Sequence, residues 1–275
     1  HMTPHQRVAA KLKLTQTESG TYADNNEAFV REAVVMGQFT HENVVTFVNL
    51  VSSEGELKLV MELCTESLAC WTTSQFKDKA RLDSKTFAPQ AIKFCKDIAK
   101  GLQHIIAKGF VHRDVASRNV LIVAQTAKVS DFGLTQQMTP TTNNTMGYKL
   151  VGNDLCGPTS SLAPECVSNR WVFSEMTDVY AYGKLLAEFL IPDPLNAENI
   201  LPLILHSIHQ RCTHHDPQQN QQQRPTFATL VNELPDVRPT TQVHQVHGNN
   251  VQGNNVQGNN VQRTSVQRKS VDSYT

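Results

Sequence analysis

The stretch His112-Arg113-Asp114-Val115-Ala116-Ser117-Arg118-Asn119 decides how this chain is to be read. It sets a guanidinium four residues, and a carboxamide five residues, after a carboxylate. Twelve residues beyond Asn119 stands Asp131-Phe132-Gly133, and further on Ala163-Pro164-Glu165. One carboxylate can orient a hydroxyl, while an amide oxygen and a second carboxylate can hold a hard divalent cation. Any one Asp alone reads as a turn or cap residue. The joint order of these groups over about fifty residues is what raises them above that reading.

The rest of the composition narrows the classes. A chain of 275 residues can bury a sizeable core in one or two domains. Lys plus Arg number 25 and Asp plus Glu 25, so there is no basic excess to favour nucleic acid or an anionic membrane. No apolar run approaches the roughly 20 residues that span a bilayer, and no secretory leader is expected at the start. The six cysteines (Cys64, Cys70, Cys95, Cys156, Cys166 and Cys212) include no Cys-x-x-Cys pair, and reduced thiols are expected. Cys212 lies near His206, His209, His214 and His215, but their spacing matches no zinc pattern, and helix-end histidines are the expected reading. The chain starts His1-Met2, which reads as a fragment or a cloning remnant.

Periodicity places strands first and helices after. Alternation around Val8, Ala10, Leu12 and Leu14 predicts a strand over Gln6 to Leu14, followed by a polar loop from Thr15 to Asn26. Asn26 is positioned to cap a helix over Glu27 to Gly37 with Phe29, Ala33 and Met36 on one face. Strands are predicted at Val44 to Val51 and Leu57 to Leu63, joined by a turn at Ser52-Ser53-Glu54-Gly55. Helices are predicted at Phe87 to Ala107, Asp178 to Leu190, Ile200 to Arg211 and Thr226 to Leu234, with a Gln-rich loop over Gln218 to Gln223. Short strands at Val120 to Val123 and Ala127 to Val129 flank a turn. The expected fold is a two-lobed α+β domain over residues 1 to 235. From Val246 the chain repeats every five residues, and the segment from 236 to 275 is expected to be a low-complexity, disordered tail.

The order His-Arg-Asp, Asn, Asp-Phe-Gly, Ala-Pro-Glu resembles the catalytic loop, metal loop and substrate-loop anchor of protein kinases. The resemblance implies a small β-rich N-lobe, a larger helical C-lobe, ATP as donor, and magnesium, or manganese in its place, as cofactor. Asp114 is implied to receive the substrate hydroxyl proton, with Asn119 and Asp131 as metal ligands. Val8-Ala9-Ala10-Lys11 resembles the strand carrying the nucleotide-anchoring lysine, and Glu32 its ion-pair partner. The segment His41-Glu42-Asn43-Val44-Val45 resembles the turn after that helix. Ala9 and Leu121 are implied to sandwich the adenine, Met61 to guard the back of the pocket, and Glu62 to Cys64 to offer backbone hydrogen bonds. Glu165 and Arg224 are implied to form a buried pair, and Asp178 to brace the catalytic loop.

Ala116 and Arg118 within the octapeptide, Pro158, and Arg224-Pro225-Thr226-Phe227 are similar to the tyrosine kinase branch. That implies proteins bearing tyrosine as substrates, with Arg118 helping to admit the phenol, in the cytoplasm or in the cytoplasmic part of a receptor. Tyr148 lies where tyrosine kinases place an activating tyrosine, and Arg113 could meet its phosphate. Two departures stand out. No Gly-x-Gly-x-x-Gly precedes Lys11, which implies a catalytic domain incomplete at its N-terminus, weak ATP binding and a bare sheet edge. Ser160-Ser161-Leu162 precedes Ala163, and Thr213 follows Cys212, where the branch favours other residues. A serine/threonine or dual-specificity kinase and a pseudokinase scaffold stay open as alternatives. In the tail, Arg263-Thr264-Ser265, Arg268-Lys269-Ser270 and Tyr274 read as modification sites.

Overall fold

Glu27 to Met36 places its apolar residues one helical turn apart, and the chain buries that stripe. In the computed structural model, which describes residues 8–12, 24–53, 56–77, 84–140, 146–149, 162–168, 172–189, 203–214 and 223–237, helix α1 runs Asp24–Met36. Phe29, Glu32, Ala33 and Met36 face inward while Val30 and Val34 are exposed. Asn26 thus lies within the helix rather than capping it. The pentapeptide repeats, the loop after Leu12, the Gln-rich loop up to Gln222, Pro158 and Ser160-Ser161 lie outside the described residues.

Strand β1 (Val8–Leu12) pairs antiparallel with β3 (Glu56–Glu62), which pairs with β2 (Phe47–Ser53), giving the order β1-β3-β2. Lys11 stands opposite Leu59 in this register, and Ala9 opposite Met61. The strand expected from Val44 begins three residues later. Val44 instead makes an isolated parallel bridge to Val129, with Val45 N–H bonded to Val129 O at 2.9 Å and Val129 N–H to Asn43 O at 2.9 Å. The segment after α1 is therefore stitched to the part of the chain that carries the octapeptide.

The centre of that half is α3 (Ser84–Ala107), on which Ala91, Cys95, Ile98, Leu102 and Ile105 are fully buried. Gly101 lets the two parts meet, because a Cβ there would lie 2.4 Å from Asn43 O. Short strands β4 (Glu66–Ser67), β6 (Val120–Val123) and β7 (Thr126–Val129) form a second sheet. The β6–β7 turn is made by Ala124 and Gln125, both at positive φ. Strand β5 (Phe110–Val111) pairs with β8 (Gln136–Gln137), and β10 (Met146–Lys149) lies between β9 (Thr139–Pro140) and β11 (Val172–Phe173).

Helix α2 (Leu68–Lys77) was not expected. Its Thr72-Thr73-Ser74 run is a weak helix former, and what holds it is tertiary: Trp71 stacks on Phe87 at 5.5 Å and meets Phe94 edge-on at 5.0 Å. Helix α4 (Pro164–Ser168) follows the Ala-Pro-Glu signal. Helix α5 (Glu175–Phe189) starts three residues before its expected position, because Thr177 Oγ1 accepts the Ser174 N–H at 3.0 Å and closes the first turn. Helices α6 (Leu203–Cys212) and α7 (Phe227–Glu233) complete the bundle, α7 capped by Thr226 accepting from Thr229 N–H. Tyr182 is fully buried, donates to Cys95 O at 2.9 Å, and packs edge-on against Phe227.

Candidate active site

Six polar side chains from four separated segments form two hydrogen-bonded groups. Lys11, on β1, donates to both carboxylate oxygens of Glu32 on α1 at 2.8 and 3.0 Å, and to Asp131 Oδ1 at 3.1 Å. Burial pulls the ammonium pKa down, but Glu32 and Asp131 outweigh it and leave Lys11 above its ordinary value. It is a cation fixed between two carboxylates, Glu32 and Asp131.

The octapeptide folds into an extended loop ending in a 3-10 turn, Ser117–Asn119. Asp114 Oδ1 accepts from Arg118 at 2.5 Å and Oδ2 from Asn119 Nδ2 at 2.7 Å. Asn119 Nδ2 also donates to Asp114 O at 2.9 Å, so its amide nitrogen is consumed and its Oδ1 is the atom left to act as ligand. Ser130 donates from N and Oγ, each at 2.8 Å, to Asn119 O. That pair of bonds holds Asp131 beside Asn119. Two oxygen donors on adjoining segments, one carboxylate and one amide, suit magnesium, which takes few protein ligands and fills its octahedron with phosphates and water.

Beneath this surface the loop is tied down by buried groups. Asp178, at the start of α5, accepts the backbone N–H of His112 at 2.7 Å and of Arg113 at 2.9 Å. Burial pushes its carboxyl up to about 7, against those bonds. His112 is fully buried, and burial lowers its pKa. Its Nδ1 accepts the Asp114 N–H at 3.3 Å, so the other nitrogen carries the proton toward Ser130 O at 3.1 Å. Phe132 is buried between Phe39 at 5.2 Å and His112 at 5.3 Å.

The nucleotide-side expectations are placed as follows. Ala9 and Met61 are sheet neighbours, Met61 half-buried. Leu121 is half-buried on β6, opposite Ser67 of β4. Cys64 is half-buried in the connection between β3 and β4, and burial pushes its thiol up to about 11, so it stays protonated. The Glu62 side chain is engaged within the protein: it accepts from Lys128 Nζ at 2.9 Å and Thr46 N–H at 2.7 Å. Lys128 and Ser130 are contributors that sequence reasoning missed; pairs 66 and 11 residues apart carry no local signal.

On the substrate side, Arg224 donates to both oxygens of Glu165 at 2.5 and 3.0 Å, as expected. Tyr148 lies on β10 opposite Phe173. The Arg113 guanidinium sits 4.4 Å from the Phe173 ring and 5.1 Å from the Tyr148 ring.

A sequence profile described as protein tyrosine and serine/threonine kinase matches residues 2–196. The chain belongs to that kinase family. Among curated proteins it is similar to the epidermal growth factor receptor of Drosophila melanogaster, 30% identical over 196 residues, covering 71% of this chain and 13% of the receptor. It is also similar to the insulin receptor of Xenopus laevis, 30% identical over 264 residues, covering 87% and 18%. The tyrosine-protein kinase JAK1 of Danio rerio is 30% identical over 165 residues, covering 58% and 13%. The chain thus spans less than a fifth of the length of these relatives. One of these three relatives is a tyrosine kinase by name, in keeping with the branch read from Arg118 and Ala116, and the reading of a two-lobed kinase fold is borne out. Among the described residues, no helix is long and apolar enough to cross a membrane.

Proposed function

We propose that this chain transfers the γ-phosphoryl group of ATP to tyrosine hydroxyls of proteins. The observation that carries the reading is the joint assembly of Lys11–Glu32–Asp131 and Asp114–Arg118–Asn119, each at hydrogen-bond distance. Phosphoryl transfer asks a protein mainly for positioning and for neutralisation of charge. Lys11, steadied by Glu32, neutralises α- and β-phosphate oxygens. Asn119 Oδ1 and Asp131 hold magnesium, or manganese in its place, which supplies charge neutralisation on the phosphates when bound. Asp114 takes the proton of the attacking phenol as that oxygen bonds to the γ-phosphorus and the bond to the ADP oxygen breaks. Arg118 and Asn119 each bond one oxygen of Asp114 and so fix the plane of the carboxylate, whose remaining lone pairs are left for the phenol proton.

Ala9 and Leu121 line the adenine, Met61 the rear of its pocket, and the backbone of Glu62 and Cys64 its polar edge. That the Glu62 side chain is drawn off by Lys128 and Thr46 supports a purely main-chain role for this residue. Residues 1 to 235 form the catalytic domain in this reading, and 236 to 275 a tail appended to it. Such a domain acts in the cytoplasm, either free or as the inner part of a receptor. Phosphorylation of Tyr148 would put a dianion beside Arg113, replacing a ring–cation contact by charge-assisted hydrogen bonds.

The test is labelled transfer from magnesium-ATP to a tyrosine-containing polypeptide with phosphoamino-acid analysis. Phosphotyrosine is expected, falling by about 10²- to 10⁴-fold in Asp114→Asn. Phosphoserine alone would overturn the choice of hydroxyl. No transfer by a folded, nucleotide-binding chain would move it to the class of scaffolds.

A further inference from the structure

His41 and His104 stack face to face, their ring centroids 4.9 Å apart and inclined by 23°. His41 belongs to the segment after α1 and His104 to the last turn of α3, so the stack closes the joint between them. The joint has a directional bond. His41 Nδ1 accepts the Asn43 N–H at 3.1 Å, which requires that nitrogen to be unprotonated. The same residue, Asn43, offers its carbonyl to Val129 N–H, while Val45 N–H returns a bond to Val129 O. His104 Nε2 is buried and has no hydrogen-bond partner among the described residues.

We propose that the His41–His104 stack is a proton-operated latch, closed while both rings are neutral and opened when protonation turns the His41 acceptor into a donor. A proton on Nδ1 sets two N–H groups against each other at Asn43. A second charge on His104 would then face the first across the stack. Opening loosens Asn43 and Val45 from β7, which leads directly into Ser130 and Asp131. It also loosens Phe39, whose ring touches His104 at 6.3 Å and Phe132 at 5.2 Å. Because α1 ends just before this segment, Glu32 loses the support that holds it against Lys11.

The surrounding charges set where the latch works. At His41 burial lowers the pKa; Glu42, on the same segment, opposes that, while Lys100 of α3 and Lys128 of β7 add to it. At His104 burial again lowers it, with His41 and Lys108 adding. A base held below its ordinary value of 6.5 stays neutral in the folded chain after the unfolded chain has protonated. The joint is therefore fully stable above that value and weakens as pH falls through it.

The link to activity rests on the kinase reading; the latch itself does not. Amide exchange at Val45 and Val129, corrected for intrinsic rate, is to be followed from pH 7.5 to 5.5 alongside phosphoryl transfer. Protection at both amides is expected to fall with acid, by up to about tenfold per pH unit for one coupled proton, with transfer falling in parallel. His41→Asn keeps an acceptor oxygen for Asn43 N–H, and His104→Phe keeps a ring in the stack; neither can take the proton. Flattening by His41→Asn supports the latch, and flattening by His104→Phe as well adds the second ring to it. A slope kept by His41→Asn, or a flat profile in the parent chain, overturns it. If His41→Asn does not fold, the His41 ring nitrogens of the parent chain are titrated by NMR: protection that falls in step with protonation of Nδ1 supports the latch, and protection that falls while Nδ1 stays unprotonated overturns it. A sloping profile with no transfer at any pH leaves the latch standing and removes the kinase reading; transfer with a flat profile does the reverse.

Discussion

Replacing Arg224 by Met should cost this domain a large part of its stability, and the size follows from the contacts. The Arg224 side chain is fully buried and that of Glu165 is 3% exposed. Besides two bonds to Glu165, the guanidinium donates to Met176 O at 2.9 Å and to His214 O at 3.2 and 3.3 Å, and lies 4.9 Å from the Tyr180 ring centroid. Met fills most of the volume, so packing loss is minor. What remains is a buried carboxylate without its counter-ion and two carbonyls without donors. Removing one member of a buried pair costs about 3–5 kcal/mol, against a total of roughly 5–15 kcal/mol for a typical domain. Glu165→Met with Arg224→Met should recover most of the charge term but not the two carbonyls. Urea unfolding of the two variants and the parent at pH 7 gives the comparison. A single-variant deficit under about 1 kcal/mol, in the range of surface pairs, would refute the argument.

Further outcomes concern the site itself. Lys11→Met should lower transfer by about 100- to 1000-fold, the scale for losing one preorganised electrostatic donor, and, because it strands the buried Glu32 carboxylate, should also lower the unfolding midpoint; transfer unchanged from the parent in the folded variant would refute the role given to Lys11. Asp178 has a pKa raised from 3.8 to about 7 by burial. Between those values the folded chain keeps a proton the unfolded chain has lost, so this group's contribution to stability declines as pH rises through that window and is level above it. Asp178→Asn should remove that slope and, by setting its NH₂ against one backbone N–H, cost about 1–3 kcal/mol at neutral pH; unfolding measured from pH 4.5 to 7.5 with an unchanged slope would sink this account.

The candidate site was legible where chemistry depends on residue identity at short offsets. Asp114, Arg118 and Asn119 lie within one loop, and the structure bonds them to one another. Lys11 and Glu32 are 21 residues apart, and only the strand-then-helix pattern around each, read with the family resemblance, brought them together. The long helix α3 was found almost entire because ten of its residues repeat their burial at helical spacing. What could not be read depends on tertiary partners. Helix α2 exists through Trp71 against Phe87 and Phe94, not through propensity. The turn between Val123 and Ala127 was expected, but not its conformation, because Ala124 and Gln125 carry none of the Gly or Asn that usually mark two residues at positive φ. Glu62 was read for its backbone, and nothing nearby in sequence announces that Lys128 would claim its side chain.

The same turn geometry points to how the site is held. Among the described residues four that are not glycine have positive φ, and two of them, Ala124 and Gln125, simply close a hairpin. The other two are Arg113 at 71° and Asp131 at 62°, one beside Asp114 and one itself a candidate metal ligand. A side-chain-bearing residue in that region costs on the order of 1–3 kcal/mol and persists only where its surroundings impose it. Those surroundings are identifiable. Asp178 takes the Arg113 N–H, and Ser130, just before Asp131, is bonded from both N and Oγ to Asn119 O. Lys11 then meets the Asp131 carboxylate from the opposite side. Two strained residues are thus clamped by buried groups that touch no substrate. On the proposed reading the octapeptide supplies the reacting groups, and Asp178 and Ser130 fix the backbone beside Asp114 and Asp131 before any nucleotide arrives, so that little reorganisation would be left for the transfer step.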